Sequence, residues 1–415
     1  MTLNNSIRYH NQQLYIDNIS ASDIMTHVGS PTYVYSLPRV INNYQNIKDA
    51  FAHLDAHIHY SAKANGNLQV LQSLIRAGAG VDCVSGGEIF KALRAGANAK
   101  DIVFAGVGKS LDEIQYALEQ GVGWFNVENI RELDYINTLA ETLGQANIQI
   151  ALRLNPEVTA NTHPYIATGH GGAKFGLTAQ TITHILENQQ DWQHLAFSGL
   201  HLHVGSQLGD TSATTQGIEV ALELIRPYGN IKTLNIGGGM PASYDDGDLP
   251  SVQEFADAVT PLIKDYTIIL EPGRSIIADA GVLLTRILYI KQQAGQHFYI
   301  VDGSMTELIR PMLYQAQHQI IPVKEGKGDA KPVQIVGPVC ESGDTFAKGR
   351  EMPPLKAGDL VAFRSAGAYG AVMSSEYNTR PLIPEVLVKG DQFAVIRSRP
   401  TFDEMINRDT IPEWL

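Results

Sequence analysis

Lys63, in "HYSAKANGNL", stands where an alternating apolar run gives way to a loop and then to a helical pattern. An amine at a strand end is either a solvated edge charge or a placed nucleophile. Other residues able to do chemistry recur at boundaries of the same kind. His201 and His203 lie two apart in "HLHVGS" and so share one side of a strand. Gly237, Gly238 and Gly239 end "NIGGGM", and Glu271, Gly273 and Arg274 fall in "EPGRS". Together these supply an amine, two imidazoles, a carboxylate, a guanidinium and two glycine turns.

Taken singly, each feature has a bland reading. A glycine run is a tight turn as readily as an anion cradle. A His-x-His strand suits a metal, but a core or stacking histidine is commoner, and Glu271 is the only obvious further ligand. The combination points elsewhere. A lysine facing a phosphate site beside a carboxylate suits a Schiff base to pyridoxal 5'-phosphate. Glu271 would then hold a proton on the pyridine nitrogen, His203 would cover a ring face, and the two glycine turns would take the phosphate.

The elements that must position these groups are legible as periodicity. The segments "HIHYSAK", "GAGVDCVS", "IVFAG", "WFNVEN", "IQIALRLNP", "FSGLHLHVGS", "TLNIGGG" and "TIILEPGRS" read as strands. Amphipathic stretches such as "GGEIFKALRAG" and "SLDEIQYALEQG" alternate with them. Such alternation is that of a (β/α)8 barrel. An open doubly wound sheet is the alternative, but no G-x-G-x-x-G opens its first turn. In a parallel barrel, active sites sit at the C-terminal strand ends and phosphates lie after strands seven and eight. The first strand delivers Lys63, the sixth His203 and Ser206, the seventh the glycine run, and the eighth Glu271, Gly273 and Arg274.

The barrel is expected over residues 36–280. Residues 281–415 lose the helical alternation and read as an all-β C-terminal domain, which the short strands of residues 1–35 would join. The stretch "KEGKGDAKP" reads as a charged surface loop.

Composition bounds the partners. The chain has 415 residues, 44% hydrophobic and 18% charged, enough for a globular protein of more than one domain. A net charge of -12 disfavours a nucleic-acid or anionic-membrane surface. Cys83 and Cys340 give neither zinc spacing nor a disulfide framework, which suits a reducing, cytoplasmic setting. The polar N-terminus "MTLNNSIRYHNQQ" has no signal-peptide core, and "GVLLTRILYI" is too short to span a bilayer. Cys83 reads as a small buried hydrophobe. His10, His27, His53 and His163 read as surface or loop residues.

The motifs "YSAKAN", "VSGGE", "HPYIATG…KFG", "HLHVGSQ", "NIGGGM", "EPGRS", "GPVCESGD" and "GAYGAVMSSEYN" occur in this order. As a set they resemble the diaminopimelate decarboxylase family of fold-type III pyridoxal-phosphate enzymes, over almost the whole chain. The resemblance implies an alanine-racemase-like barrel with a C-terminal β-domain. It implies that Lys63 forms the Schiff base and that His203 stacks on the ring. It places Ser206, Gly237, Gly238, Gly239, Gly273 and Arg274 at the phosphate, with Glu271 at the pyridine nitrogen. By the same resemblance Arg274, Arg310, Tyr314 and Glu341 bind substrate, Cys340 donates a proton, and Tyr369 touches both phosphate and substrate. The Cys340–Glu341 segment would reach the site of a neighbouring subunit, which implies a homodimer. The implied reaction converts meso-diaminopimelate to L-lysine and carbon dioxide, the last step of lysine biosynthesis.

The lead "GHGGAKFG" departs from the family's usual approach to "KFG", which leaves the loop near Lys174 open. Same-fold chemistry is the first rival: decarboxylation of ornithine, arginine or carboxynorspermidine, or amino-acid racemisation. A racemase would need a second base, which Cys340 and Glu341 fit less well. A non-catalytic pyridoxal-phosphate carrier is a single barrel without residues 282–415. A metal-dependent barrel hydrolase would have to use His201 and His203.

Overall fold

All eight apolar segments between residues 56 and 270 form strands. We label them β1 (Ala56–Ser61), β2 (Gly80–Cys83), β3 (Ile102–Phe104), β4 (Trp124–Val127), β5 (Ile148–Leu154), β6 (Leu195–Leu202), β7 (Thr233–Asn235) and β8 (Thr267–Leu270). Neighbours pair in parallel, and β8 pairs with β1 to close a barrel. The computed structural model describes residues 3–158, 169, 172–244 and 249–415.

The helices between the strands start where a side-chain oxygen can accept an orphan backbone N–H. Ser85 accepts from Glu88 N before Gly86–Arg94, and Asn129 accepts from Glu132 N before Ile130–Thr142. Ser110 with Glu113, and Ser251 with Glu254, form reciprocal capping boxes. Each helix turns a buried apolar stripe to the barrel, such as Ile114, Ala117 and Leu118 of Leu111–Gln120.

The barrel interior departs from the usual branched aliphatic layers. His59, Ser61, Asp82, Asn126, His201, Asn235 and Glu271 are all buried. Asn126 at β4 bonds to Glu271 beyond β8, so these side chains cross the barrel. A buried polar group costs free energy unless it is paired, so this layer is present for something other than packing.

The chain divides into two compact units. The barrel unit holds residues 41–242 and the segment running on to Ile276. The second holds the chain up to Val40, with Ser243, Tyr244 and Ile277–Leu415. Its nine-stranded sheet is built on Gly281–Gln293, which pairs antiparallel with Thr32–Ser36, Gln296–Val301 and Leu360–Phe363. The strand Thr32–Ser36 also pairs in parallel with Glu385–Lys389. Its residues alternate between two apolar cores. Tyr33 and Tyr35 pack with Leu283 and Phe363, whereas Val34 packs with Val282 and Val386. A separate three-stranded sheet joins Ile7–His10, Gln13–Ile16 and Ile19–Ser20.

One expectation needs correction. The N-terminal region is not only strands, because Ala21–Val28 is a helix. Ser20 caps it by accepting from Asp23 N, and Ala21, Ile24 and Met25 bury one face. The second unit is mostly sheet but also contains short helices, Arg310–Tyr314 and Phe402–Ile406. Among the described residues no helix is long and apolar enough to cross a membrane.

Candidate active site

Lys63 sits in a single 3-10 turn, Ala62–Ala64, directly after β1. The turn is held from below and from the side. Ser61 N donates to Pro272 O, and the Tyr60 hydroxyl donates to Asn65 O. Gly273 is required here, since a Cβ on it would come within 2.9 Å of both Ser61 Cβ and Ala64 Cβ. The Lys63 Nζ lies 3.2 Å from Asp82 Oδ2 on β2, and Ser61 Oγ donates to the same oxygen. Burial and the charge of Glu271 push the Asp82 carboxyl up, while Lys63 and Ser61 pull it down, leaving it above the usual carboxylate range.

Glu271 stands at the exit of β8. Its Oε1 accepts from Asn235 Nδ2 at 2.6 Å and from Asn126 Nδ2 at 2.9 Å. Its Oε2 lies 3.4 Å from His201 Nε2. Burial alone would raise this carboxyl, but His201, Lys63 and the Asn235 bond together hold it well below the usual range. It is therefore an ionised carboxylate fixed by two amides. Asn235 Oδ1 in turn accepts from Gly237 N at 2.9 Å, which ties the glycine run to the carboxylate.

His203 turns toward the glycine run. Its Nδ1 accepts from Gly238 N at 3.2 Å, which requires an unprotonated Nδ1. Burial, then the charges of Lys63 and Arg153, push this imidazole well below its ordinary value. Gly238 admits no side chain, because a Cβ would lie 2.5 Å from Glu271 O. At the β8 end, Arg274 donates to Ser206 Oγ from Nε at 3.3 Å and from Nη2 at 3.1 Å. Among the described residues no three His, Cys, Asp or Glu side chains are grouped as metal ligands.

Lys63, His201, His203 and Glu271 line one cavity of about 400 Å³, with Arg153, Phe175 and the Ala105–Gly108 segment. Pyridoxal 5'-phosphate fits the donor set. The cavity offers an amine, an ionised carboxylate and a flat neutral imidazole, and the Ser206–Arg274 pair and the backbone N–H groups of the glycine run lie in the segments that follow β6, β7 and β8. The Oδ1 atoms of Asp82 and Asn126 are buried without a hydrogen-bond partner among the described residues.

The remaining expected site residues belong to the second unit. Cys340 and Glu341 are exposed on the loop between Lys331–Val336 and Thr345–Met352. Cys340 N donates to Asn378 Oδ1 at 3.3 Å, and the Tyr377 hydroxyl donates to Glu341 Oε1 at 2.6 Å. Buried Asp344 shapes this loop by accepting from Val339 N at 2.8 Å and Met305 N at 2.7 Å. Arg310 opens the helix Arg310–Tyr314 and is buried, and Tyr314 closes it half-buried. Tyr369 is half-buried with φ +54°, a left-handed backbone rare outside glycine. Most of "HPYIATG", including His163, lies outside the described residues.

Four contributors escaped the reading of the sequence: Asp82, Asn126, Asn235 and Arg153. Arg153 Nη1 donates to Glu128 Oε1 at 2.6 Å, Glu128 Oε2 accepts from Gly176 N, and the guanidinium lies 4.8 Å from the Phe175 ring. Each of the four is a polar residue inside an apolar strand, which is the signal that could have found them.

Residues 37–278 match the family model described as the pyridoxal-binding domain of pyridoxal-dependent decarboxylases. The chain is 40% identical over 407 residues to the diaminopimelate decarboxylase of Aquifex aeolicus, covering 96% of each chain. It is 41% identical over 403 residues to that of Pseudomonas aeruginosa, covering 96% of this chain and 97% of the relative. The crystal structure of the M. jannaschii diaminopimelate decarboxylase in complex with L-lysine superposes with a TM-score of 0.93 at 33% identity, over 100% of both chains. Fold and site thus define a pyridoxal-phosphate-dependent decarboxylase of the (β/α)8 class. Within that class the chain belongs to the diaminopimelate decarboxylase family.

Proposed function

We propose that the protein decarboxylates meso-diaminopimelate at its D-configured centre, releasing L-lysine and carbon dioxide. The observation that carries this is the placing of Lys63 and Glu271 in one cavity at the barrel's C-terminal rim, in a chain so closely similar to diaminopimelate decarboxylases. Bound there, pyridoxal 5'-phosphate supplies an electron sink for the pair left on Cα when the carboxylate departs.

The chain's own residues do the rest. Lys63 Nζ anchors the cofactor aldehyde. Ionised Glu271 keeps a proton on the pyridine nitrogen, and Asn126 and Asn235 hold its carboxylate in place. The neutral His203 ring covers one face and excludes water. Ser206, the Gly237–Gly239 run, Gly273, Arg274 and Tyr369 take the phosphate. Arg310 and Arg274 take the substrate's distal carboxylate through charge-assisted bonds, and Glu341 takes its distal amine. Tyr314 and Tyr369 line the substrate. Cys340 Sγ returns a proton to Cα.

The exposure of Cys340 and Glu341 supports a homodimer in which this loop completes the neighbouring subunit's site. The cytoplasm suits two cysteines without a disulfide and a biosynthetic role in making lysine. The test is substrate choice. The purified holoenzyme should release L-lysine and carbon dioxide from meso-diaminopimelate and turn over neither L-ornithine nor L-arginine. Comparable turnover of ornithine would move the assignment to another decarboxylase of this fold.

A further inference from the structure

We propose that His318 is a positioning residue that sets Arg310 for the carboxylate of the substrate. The proposal rests on the assignment of Arg310 to that carboxylate. Arg310 Nη1 lies 2.9 Å from His318 Nε2, and His318 Nδ1 lies 2.8 Å from Arg364 O. The donor roles follow by elimination. A guanidinium only donates, so Nε2 must accept. A carbonyl only accepts, so Nδ1 must carry the proton and donate. His318 is therefore a neutral imidazole in one tautomer, joining Arg310 to the backbone just past the strand Leu360–Phe363.

The histidine is itself pinned. Its own carbonyl accepts from Arg350 Nη2 at 3.0 Å, and Arg364 N donates to the carbonyl of the next residue, Gln319, at 2.8 Å. Tyr244 completes the seat. The Arg310 Cζ lies 4.2 Å from the Tyr244 ring centroid, and the same ring meets His318 edge-on at 5.2 Å and 84°. Arg310 and His318 are both buried. A guanidinium fixed in this way loses less rotamer freedom when it meets a carboxylate, and its planar fork keeps one orientation.

A residue acting through Arg310 should matter only to ligands that carry the carboxylate. L-lysine keeps it and 1,5-diaminopentane does not, so the two inhibitors separate positioning from mere support of the fold. With the holoenzyme, His318→Ala should raise the inhibition constant of L-lysine and the KM for meso-diaminopimelate roughly tenfold, the scale of one charge-assisted bond. Inhibition by 1,5-diaminopentane should stay as in the parent, and kcat should change less than KM. His318→Gln should recover most of the loss, because its amide can both accept from Nη1 and donate to Arg364 O. Should the alanine variant not fold, His318→Asn, too short to reach both partners, carries the same comparison. Equal effects on both inhibitors, or no effect on either, would overturn the proposal when Arg310→Ala weakens L-lysine alone. If Arg310→Ala leaves L-lysine inhibition unchanged, the assignment of Arg310 itself is wrong, and the role of His318 falls with it.

Discussion

Asn235 Nδ2 donates to Glu271 Oε1 at 2.6 Å, and Asn235 Oδ1 accepts from Gly237 N at 2.9 Å. One side chain therefore sets both the carboxylate proposed for the pyridine nitrogen and the glycine run proposed for the phosphate. Burial works against the Glu271 charge, and His201, Lys63 and Asn235 overcome it. A carboxyl held below its ordinary value stays ionised as pH falls, until pH reaches the depressed value. Asn235→Ala removes one stabilising bond and shifts that limit upward. The acid-side loss of cofactor affinity, followed by fluorescence on adding pyridoxal 5'-phosphate to apoprotein, should move to higher pH. An unmoved profile would remove Asn235 from this role.

His59 gives a stability prediction of the opposite chemical type. It is buried in the barrel interior, and burial pushes its imidazole down to about 4. Between that value and the ordinary 6.5, the unfolded chain binds a proton that the folded chain does not. Stability therefore rises with pH across this window. It is fully present above about pH 6.5 and falls as pH drops toward 4. The whole effect is worth roughly 3 kcal/mol. Denaturant unfolding of His59→Gln should show a flatter pH dependence between those limits. The same slope in the variant would assign it to other groups.

The proposed sharing of an active site between two subunits can be tested by mixing inactive proteins. Lys63→Ala and Cys340→Ala should each be inactive alone. If the Cys340 loop serves the neighbouring subunit, unfolding and refolding an equal mixture yields mixed dimers with one intact site. Activity should then return to about a quarter of the parent value, from random pairing of subunits. No recovery, with mixed dimers present by native mass spectrometry, would place Cys340 and Lys63 in the same chain's site.

Much of this was legible in one dimension because it is written as periodicity. Eight apolar runs separated by amphipathic helices lead to the barrel, and the barrel gathers Lys63, His203 and Glu271 into one cavity. The polar barrel interior was not legible for the same reason. Asp82, Asn126 and Asn235 interrupt apolar strands, and only closure of the sheet brings Asn126 across to Glu271. The helix Ala21–Val28 was missed because its apolar residues are few and the flanking segments alternate. His318 sits eight residues beyond Arg310 and carries no motif of its own, so only the return of the chain pairs them.

The most direct test of the central claim is the site of cofactor attachment. Holoenzyme reduced with borohydride and digested should carry the pyridoxyl mass on the peptide containing Lys63. Added meso-diaminopimelate before reduction should lower that labelling, and Lys63→Ala should abolish it while still binding pyridoxal 5'-phosphate weakly. Labelling on a different lysine, or labelling that survives Lys63→Ala, would contradict the account.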